Sequence, residues 1–393
     1  MSTPPRYVPD FRLEIGGQEI PRALRGSITS ISYEDGHQKA DRVEVGVANV
    51  DLRFLQKHVR GLGFMPAPTG PRLTASGQPS SAPEGMLDID NTVTLALGYA
   101  PDPLEPMFIG EITGVEASFP ADGMPALTIV AHDYLHRLAG GSYSRGFGPL
   151  PDFIIASILA IENRLLPAIE PVVIAASTAV AVVNLIFRGG GTKQKGQSHL
   201  DLLAKIAATY DADFFVEGDI LYVTRFMKEY APRLTLTWGK SLVSFEPKIT
   251  TVGQAVGVAM RFTLREIPLT FVVTVFYDFD RESVGISVVP GVAAPAGGKG
   301  GPVETIIDRP IGSPADIMSS ALEIAHELRT KLNSRLTGKG SAIGDPRIRA
   351  GAVIRLEELG PDFSGVYRVT SATHSLSAKG YVTNFEVQKE LIP

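Results

Sequence analysis

A glycine-rich stretch in the middle of the chain comes close to a phosphate-binding motif. Residues 191–198 read GTKQKGQS and lie between an apolar segment and a predicted helix. A P-loop needs a lysine directly after its second glycine, because that lysine reaches the β- and γ-phosphates of a nucleotide. Gln197 occupies this position. We therefore interpret the stretch as a loop that leads into a capped helix, and we expect no nucleotide there.

Two other segments resemble metal sites, but each lacks a required ligand. His326 and Glu327 begin a pattern typical of zinc proteases, yet the position of the second histidine holds Thr330. One histidine cannot form that zinc site. Residues 278–282, DFDRE, resemble the start of a calcium loop without its later glycine and bidentate glutamate. A solvated helix face and an acidic strand end explain both segments, and we expect no bound metal.

The remaining titratable residues do not have a catalytic spacing. His132, Asp133 and His374 lie in strand-like patterns with no nucleophile at a suggestive distance, so we interpret them as structural hydrogen-bonding residues. Glu111 and Glu116 belong to one predicted strand, where their odd spacing directs them to opposite faces and disfavours a shared substrate. We therefore predict no catalytic residue and no cofactor, and a protein that is not an enzyme.

The composition is typical of a globular protein rich in strands and loops. The 393 residues are 44% hydrophobic and 20% charged, with 40 glycines and 29 prolines. This length allows two or three domains with a sizeable core. A net charge of −5 argues against a general nucleic-acid-binding protein, which needs clustered lysine and arginine. The absence of cysteine excludes disulfides and thiol chemistry.

The last fifty or so residues predict a three-stranded antiparallel meander. Its strands cover residues 352–357, 365–376 and 381–387, with turn residues between them. A similar meander is predicted at residues 93–131, and both contain the pattern Phe-x-Gly-x-(Ile/Tyr), at Phe108–Ile112 and Phe363–Tyr367. We infer that one β-module is used twice.

The other predicted elements define the fold class as α+β and mainly β. Strands are predicted at residues 11–15, 27–33 and 41–49, and residues 61–85 form an exposed Pro/Gly loop. Residues 165–187 are strongly apolar, which favours buried strands or a packed helix over a membrane helix, because the uninterrupted part is shorter than the ~20 residues of a membrane span. A capping box opens a helix at Ser198, and another helix is predicted at 314–336.

The C-terminal sequence, GDPRIRAGAVIRLEELGPDFSGVYRVTSATHSLSAKGYVTNFEVQ, resembles the signature of the phage late control D family. This family contains the baseplate hub proteins of contractile phage tails, and its relatives include injection-system hubs and the N-terminal part of VgrG spikes. Further matching segments follow one another along the chain, at residues 41–49, 108–112, 127–138, 197–203 and 238–247. Residues 61–85 and 165–187 have no counterpart in the family pattern.

This resemblance implies a structural protein with two tail-tube-like β-barrels and an inserted small α/β domain. The corresponding domains are residues 1–142, 143–228 and 229–393. It further implies a homotrimer that joins a hexameric inner tube, or a tube-initiator protein, to a separate trimeric spike protein, with baseplate wedge proteins around it. Neither specific nucleic-acid binding nor direct membrane insertion is expected.

Assembly in the cytoplasm is expected, as part of a phage tail or of an injection-system particle that is released or membrane-anchored. Alternatives are a VgrG-like spike, a tube initiator and, less well supported, a particle-borne hydrolase.

Because the strands of each β-module would leave unpaired edges, we predict subunit contacts at two places in the last meander. The candidate interface residues are Arg355, Glu357, Tyr381, Thr383, Phe385 and Val387.

Overall fold

The computed structural model shows a protein that folds into two compact units. It describes residues 8–49, 85–186, 191–225, 231–249, 257–264, 270–278, 283–290, 303–311, 333 and 335–389. The first unit comprises Met1–His136, Pro232–Glu246 and Lys339–Val387, and the second comprises Arg137–Ala231, Pro247–Gly338 and Gln388–Pro393. The fold is α+β and mainly β, as predicted. The predicted domain limits stay predictions.

Strands dominate the described part of the chain. In chain order they are β1 (Val8–Ile15), β2 (Gln18–Glu19), β3 (Ile28–Gly36), β4 (Arg42–Ala48), β5 (Thr92–Ala100), β6 (Glu105–Ser118), β7 (Ala126–Asp133), β8 (Tyr143–Gly146), β9 (Leu166–Ile169), β10 (Lys193–Gln197), β11 (Ala212–Glu217), β12 (Ile220–Arg225), β13 (Leu234–Thr237), β14 (Leu242–Ile249), β15 (Gly257–Leu264), β16 (Thr270–Asp278), β17 (Ser283–Pro290), β18 (Val303–Ile311), β19 (Leu336–Ile343), β20 (Val353–Glu357), β21 (Gly365–Ser377) and β22 (Gly380–Gln388). The helices are α1 (Arg22–Arg25), α2 (His136–Ala139), α3 (Asp152–Glu162), α4 (Pro171–Ile186) and α5 (His199–Thr209), followed by one helical turn at Gly360–Phe363.

The first unit is built on a 13-stranded sheet that contains both predicted meanders. Hydrogen-bonded neighbours follow the order β14-β19-β22-β21-β3-β4-β7-β6-β5-β1-β2, and β20 pairs with both β13 and β21. The C-terminal strand β21 pairs antiparallel with β3, from Ser371 opposite Gly36 to Ser377 opposite Ser30. The two meanders, β5-β6-β7 and β20-β21-β22, are therefore confirmed and belong to one continuous sheet.

The core of this unit explains why strands from both ends of the chain stay together. All three valines of β4 are buried, as expected for a strand with one apolar face. Leu376 and Tyr381 from the C-terminal hairpin belong to the same hydrophobic core as these N-terminal residues. The predicted β1–β2 turn uses Gly16 and Gly17 at φ of 62° and 75°, which glycine adopts without steric cost.

The second unit combines helices with three small sheets. The sheets have the strand orders β10-β8, β11-β12-β9 and β17-β16-β15-β18. Helix α5 begins with the predicted capping box, in which Ser198 Oγ accepts from Asp201 N and the Asp201 carboxylate accepts from Ser198 N. The predicted hairpin that follows is formed by β11 and β12.

The apolar segment at residues 165–187 contains β9 and helix α4. Pro171 is the first helical residue, a position where its fixed φ and missing N–H are tolerated. Val173 and Ser177 are buried, whereas Val182 and Leu185 are exposed, so the helix packs through one face. Within the described residues, no helix is long and apolar enough to cross a membrane.

Several predicted segments lie outside the described residues. They include His326, Glu327, the 61–85 loop apart from Gly85, and residues 279–282 of the calcium-like segment. The predicted 314–336 helix is also outside, apart from its end. Leu336 is the first residue of β19, so the prediction extends the helix too far.

Candidate assembly surface and buried polar network

Four of the predicted interface residues lie inside the protein. Tyr381, Thr383, Phe385 and Val387 on β22 have between 0% and 4% of their surface exposed. They alternate along the strand with exposed side chains, those of Val382, Asn384 and Glu386. The four residues therefore contribute to the core, and a contact of β22 with another subunit would use the opposite face. Their interface role stays a prediction.

Arg355 and Glu357 are exposed, but strand β20 is not a sheet edge. Strand β13 pairs parallel with one side of β20, with Thr235 opposite Arg355. Strand β21 pairs antiparallel with β20 on the other side. The expectation of an edge at these residues is wrong, because an alternating pattern shows which face is exposed and not what lies beside the strand.

Strands β14, β19 and β22 and the turn before β14 expose large apolar side chains. Val243, Ile343 and Val382 are 61%, 52% and 37% exposed, and Trp238 in the turn before β14 is 58% exposed. We call these four residues the apolar face. Strands β19 and β22 run antiparallel, and Gly344 N donates to Tyr381 O, which places Ile343 opposite Val382. Exposed apolar side chains that adjoin one another are typical of protein contact surfaces.

A buried polar network connects β3 to the segment before β20. Arg349 donates through Nε to Asp35 Oδ2 at 2.5 Å and through Nη2 to Tyr33 Oη at 2.7 Å. The Tyr33 hydroxyl donates in turn to Asp41 Oδ2 at 2.7 Å. Tyr33 and Asp35 are only 0% and 7% exposed. The network links residues that are 314 positions apart in the sequence.

His374 is fully buried and satisfied at both ring nitrogens. Its Nε2 lies 2.9 Å from Ile348 O, and its Nδ1 lies 2.8 Å from Tyr381 Oη and 3.1 Å from Thr383 Oγ1. The ring stacks on Tyr33 with centroids 5.8 Å apart. Burial lowers the pKa of His374 to about 4, so the imidazole is neutral near pH 7 and Nε2 donates to the carbonyl. The prediction of a structural histidine is confirmed.

The surroundings of two carboxyl groups in the same region raise their pKa values. Burial, with the charge of Asp35 as the next cause, raises the pKa of Asp41 to about 7. Burial and the neighbouring Asp41 raise the pKa of Asp133 to about 8, although Asp133 Oδ1 accepts from Leu135 N at 3.1 Å.

The raised pKa values make the free energy of unfolding depend on pH, because an aspartate in the unfolded chain has its ordinary, lower pKa. An unfolded aspartate loses its proton near pH ~4. Between about pH 4 and pH 8 the folded state therefore binds protons that the unfolded chain has released. The contribution of Asp41 and Asp133 to the free energy of unfolding consequently falls as the pH rises through this window.

The remaining candidate residues do not converge on a catalytic site. Glu111 is buried, with Oε1 3.1 Å from His136 Nε2, whereas Glu116 is exposed. His132 Nδ1 lies 2.7 Å from Thr113 Oγ1, and burial lowers the pKa of this histidine. The prediction of a hydrogen-bonding role for His132 is confirmed. The prediction of opposite faces for the glutamates is wrong, because a bulge between Ile112 and Gly114 shifts the register and places Glu111 opposite His132 and Glu116 opposite Thr128, on the same side of the sheet. No group of three His, Cys, Asp or Glu that could hold a metal occurs within the described ranges.

The motif-like stretch at residues 191–198 is partly a strand. Residues 193–197 form β10, which pairs antiparallel with β8, so Lys193 lies opposite Gly146 and Gln197 opposite Tyr143. Our interpretation of this stretch as a loop is therefore wrong. In a P-loop the backbone N–H groups curve around a phosphate, an arrangement that an extended paired strand does not provide.

Comparison with solved structures shows two similar tail proteins. The 43 kDa tail protein of prophage MuSo2 from Shewanella oneidensis has a TM-score of 0.61 and 11% identity, and the match covers 96% of this chain and 98% of that chain. The tail protein from Neisseria meningitidis MC58 has a TM-score of 0.60 and 11% identity, with 98% and 97% of the two chains covered.

A third similar structure comes from a secretion system. The Escherichia coli c3393 protein is a component of the type VI secretion system with structural similarity to the T4 bacteriophage tail proteins gp27 and gp5. It has a TM-score of 0.51 and 10% identity, and the match covers 97% of this chain and 80% of that chain. No protein-family model and no curated protein sequence matches the chain. The comparisons thus establish a shared fold.

Proposed function

We propose that the protein is a structural component of a contractile phage tail or injection system and serves as its baseplate hub. The observation that carries this proposal is the fold, which matches two tail proteins over nearly the full length of both chains. The C-terminal sequence pattern of hub proteins supports the same role. In this role the protein is assembled in the cytoplasm and has no catalytic function.

The proposed hub is a homotrimer that adapts two symmetries. Each subunit has two β-meanders, so three subunits present six similar modules to a hexameric inner tube or tube initiator and three equivalent faces to a trimeric spike. The presence of both meanders in one sheet supports this arrangement, because the continuous sheet holds the two modules in a fixed relation. Baseplate wedge proteins would contact the outside of the ring.

The apolar face supports a large contact with another polypeptide. Its four side chains are between 37% and 61% exposed, and Ile343 and Val382 lie opposite each other on neighbouring strands. Exposed apolar groups gain free energy when a partner removes them from water. Among the strands that the structure describes, β14 is also the last in its sheet order, and a strand of another subunit could pair with its outer backbone groups. We assign this face to the contact between neighbouring subunits of the ring.

Measuring the mass of the assembled protein tests the proposed trimer. We expect native mass spectrometry to show a trimer, and we expect co-expressed tube and spike proteins to co-purify with it. Ile343→Lys combined with Val382→Lys should dissociate the trimer, because two charges would enter an apolar contact. Ile109→Lys changes an exposed apolar residue on β6, 42% exposed, and serves as the matched control. Six copies per particle would contradict the hub.

The alternative is a VgrG-like spike component or a tube initiator. The similarity to the secretion-system protein that resembles gp27 and gp5 favours the spike component. A spike component would co-purify as a trimer without direct tube contact, whereas a tube initiator would be hexameric. Cross-linking within the assembled particle separates these two arrangements from the hub, which contacts both tube and spike.

A further inference from the structure

A cavity in the second unit is lined by three lysines. It has a volume of about 370 Å³ and lies between β10 and α5. Lys193 and Lys195 come from the strand, and Lys205 comes from the helix. The same cavity contains part of the glycine-rich stretch that was compared with a P-loop.

The local structure explains why these lysines face the same space. The intervening Gln194 is buried, and its Nε2 donates to Gln197 O and Ser198 O, both at 3.0 Å. Successive side chains of a strand point to opposite faces, so Lys193 and Lys195 share the face opposite Gln194. On α5 the lining residues Leu202, Lys205, Ile206 and Thr209 have the spacing of one helix face.

The charge of the cavity is strongly positive. None of the three lysines forms an ion pair with a residue in the described part of the chain. Asp152 is the acidic residue in the lining, and both of its oxygens accept hydrogen bonds. Oδ1 accepts from Thr192 at 2.6 Å, and Oδ2 accepts from Tyr210 at 2.7 Å. Three ammonium groups therefore face one carboxylate that is already engaged, in a protein whose net charge is −5.

We propose that this cavity binds a small anion that carries several phosphate charges. A concave site lined by charges of one sign concentrates ions of the other sign. The volume of about 370 Å³ is that of a small-molecule site. A phosphate group combines up to two negative charges with three acceptor oxygens, which suits three mobile ammonium donors better than a single carboxylate does.

This site is independent of the proposed hub function. Recognition uses lysine side chains, so it does not require the backbone geometry of a P-loop. The described lining residues of the cavity all lie in Arg137–Ala231 of the second unit, whereas the apolar face belongs to the first unit.

Isothermal titration calorimetry of the full-length protein with tripolyphosphate tests the proposal. We expect saturable binding with one ligand per chain that weakens as the salt concentration rises. Replacing Lys193, Lys195 and Lys205 together by glutamine should weaken binding roughly tenfold or more. The control variant replaces three exposed lysines of the first unit, Lys39, Lys240 and Lys379, by glutamine and removes the same net charge. Circular dichroism establishes that both variants are folded.

The control variant should retain the wild-type affinity within about twofold, since these lysines lie outside the cavity. Equal weakening in the two variants would overturn the proposal and show a general charge effect. Tighter binding of a glutamate-rich peptide than of tripolyphosphate would assign the cavity to an acidic segment of a partner protein instead. Absence of tripolyphosphate binding at low salt would also overturn it.

Discussion

Replacing Arg349 by methionine should destabilise the protein through its effect on buried partners. Arg349 donates to Asp35 and to Tyr33, and both partners are almost completely buried. Methionine retains much of the side-chain volume but none of the donors. Among the residues that the structure describes, the variant would leave the buried Asp35 carboxylate with one donor, Ala350 N at 3.1 Å.

The magnitude follows from the exposure of the two charged groups. Removing one partner of a fully buried ion pair costs about 3–5 kcal/mol. The Arg349 side chain is 31% exposed, whereas that of Asp35 is 9% exposed, so water screens the pair from the cationic side. Tyr33 still donates to Asp41 in the variant. We therefore expect the free energy of unfolding to fall by about 2–3 kcal/mol.

A double-mutant cycle in urea unfolding isolates this interaction. It combines Arg349→Met with Asp35→Asn, which removes the charge and keeps an acceptor for Ala350 N. We expect a coupling energy of about 1–2 kcal/mol. Arg347→Met is the matched control, since Arg347 pairs with Asp345 two residues away and its side chain is 47% exposed. Because Arg347 N still donates to Asp345 Oδ1, this variant should lose about 1 kcal/mol or less.

Two results would refute this reasoning. A coupling energy below about 0.5 kcal/mol would mean that the two residues contribute independently. A loss for Arg347→Met equal to that for Arg349→Met would mean that burial of the pair does not determine the energy. Either result would remove the network as a stabilising link between β3 and the segment before β20.

Three further predictions concern the packing, the electrostatics and the helix cap. Gly110→Ala would place a Cβ 2.1 Å from His132 O and should cost about 2–3 kcal/mol, whereas Gly114→Ala in the same strand, with its nearest neighbour at 3.8 Å, should change stability by less than about 0.5 kcal/mol; similar losses would contradict this. Asp133→Asn should flatten the fall in unfolding free energy between about pH 4 and pH 8 by up to ~1.4 kcal/mol per pH unit, and an unchanged slope would contradict the raised pKa. Ser198→Ala should cost about 1 kcal/mol while Ser198→Asp retains the cap, and equal stabilities would contradict its role.

Local patterns predicted those parts of the fold that depend on neighbours in the sequence. The meander at the C-terminus follows from alternating side chains and turn residues, and the start of α5 follows from the Ser198 capping box. The fold class follows from the number of such strands. These features are readable because the period of a strand and the chemistry of a cap involve only a few consecutive residues.

Contacts between distant segments could not be predicted in the same way. The β3–β21 pairing and the Arg349–Asp35 contact join residues separated by most of the chain. The only trace of the network in the sequence is the pair Asp35 and Asp41, which flank a predicted turn. Acidic residues are common in exposed turns, so their presence there does not show that these two are buried. Only the strand order brings Arg349 to the same place.

Strand β22 shows why a subunit contact is also hard to predict from an alternating sequence pattern. Tyr381, Thr383, Phe385 and Val387 made β22 recognisable because their alternating pattern marks a buried face. That pattern identifies the side chains that are least available to a partner. A contact surface on the same strand must use the intervening positions, where an apolar residue such as Val382 has no periodic signal of its own. Val382→Lys therefore tests assembly, whereas a lysine at Phe385 would test folding of the core.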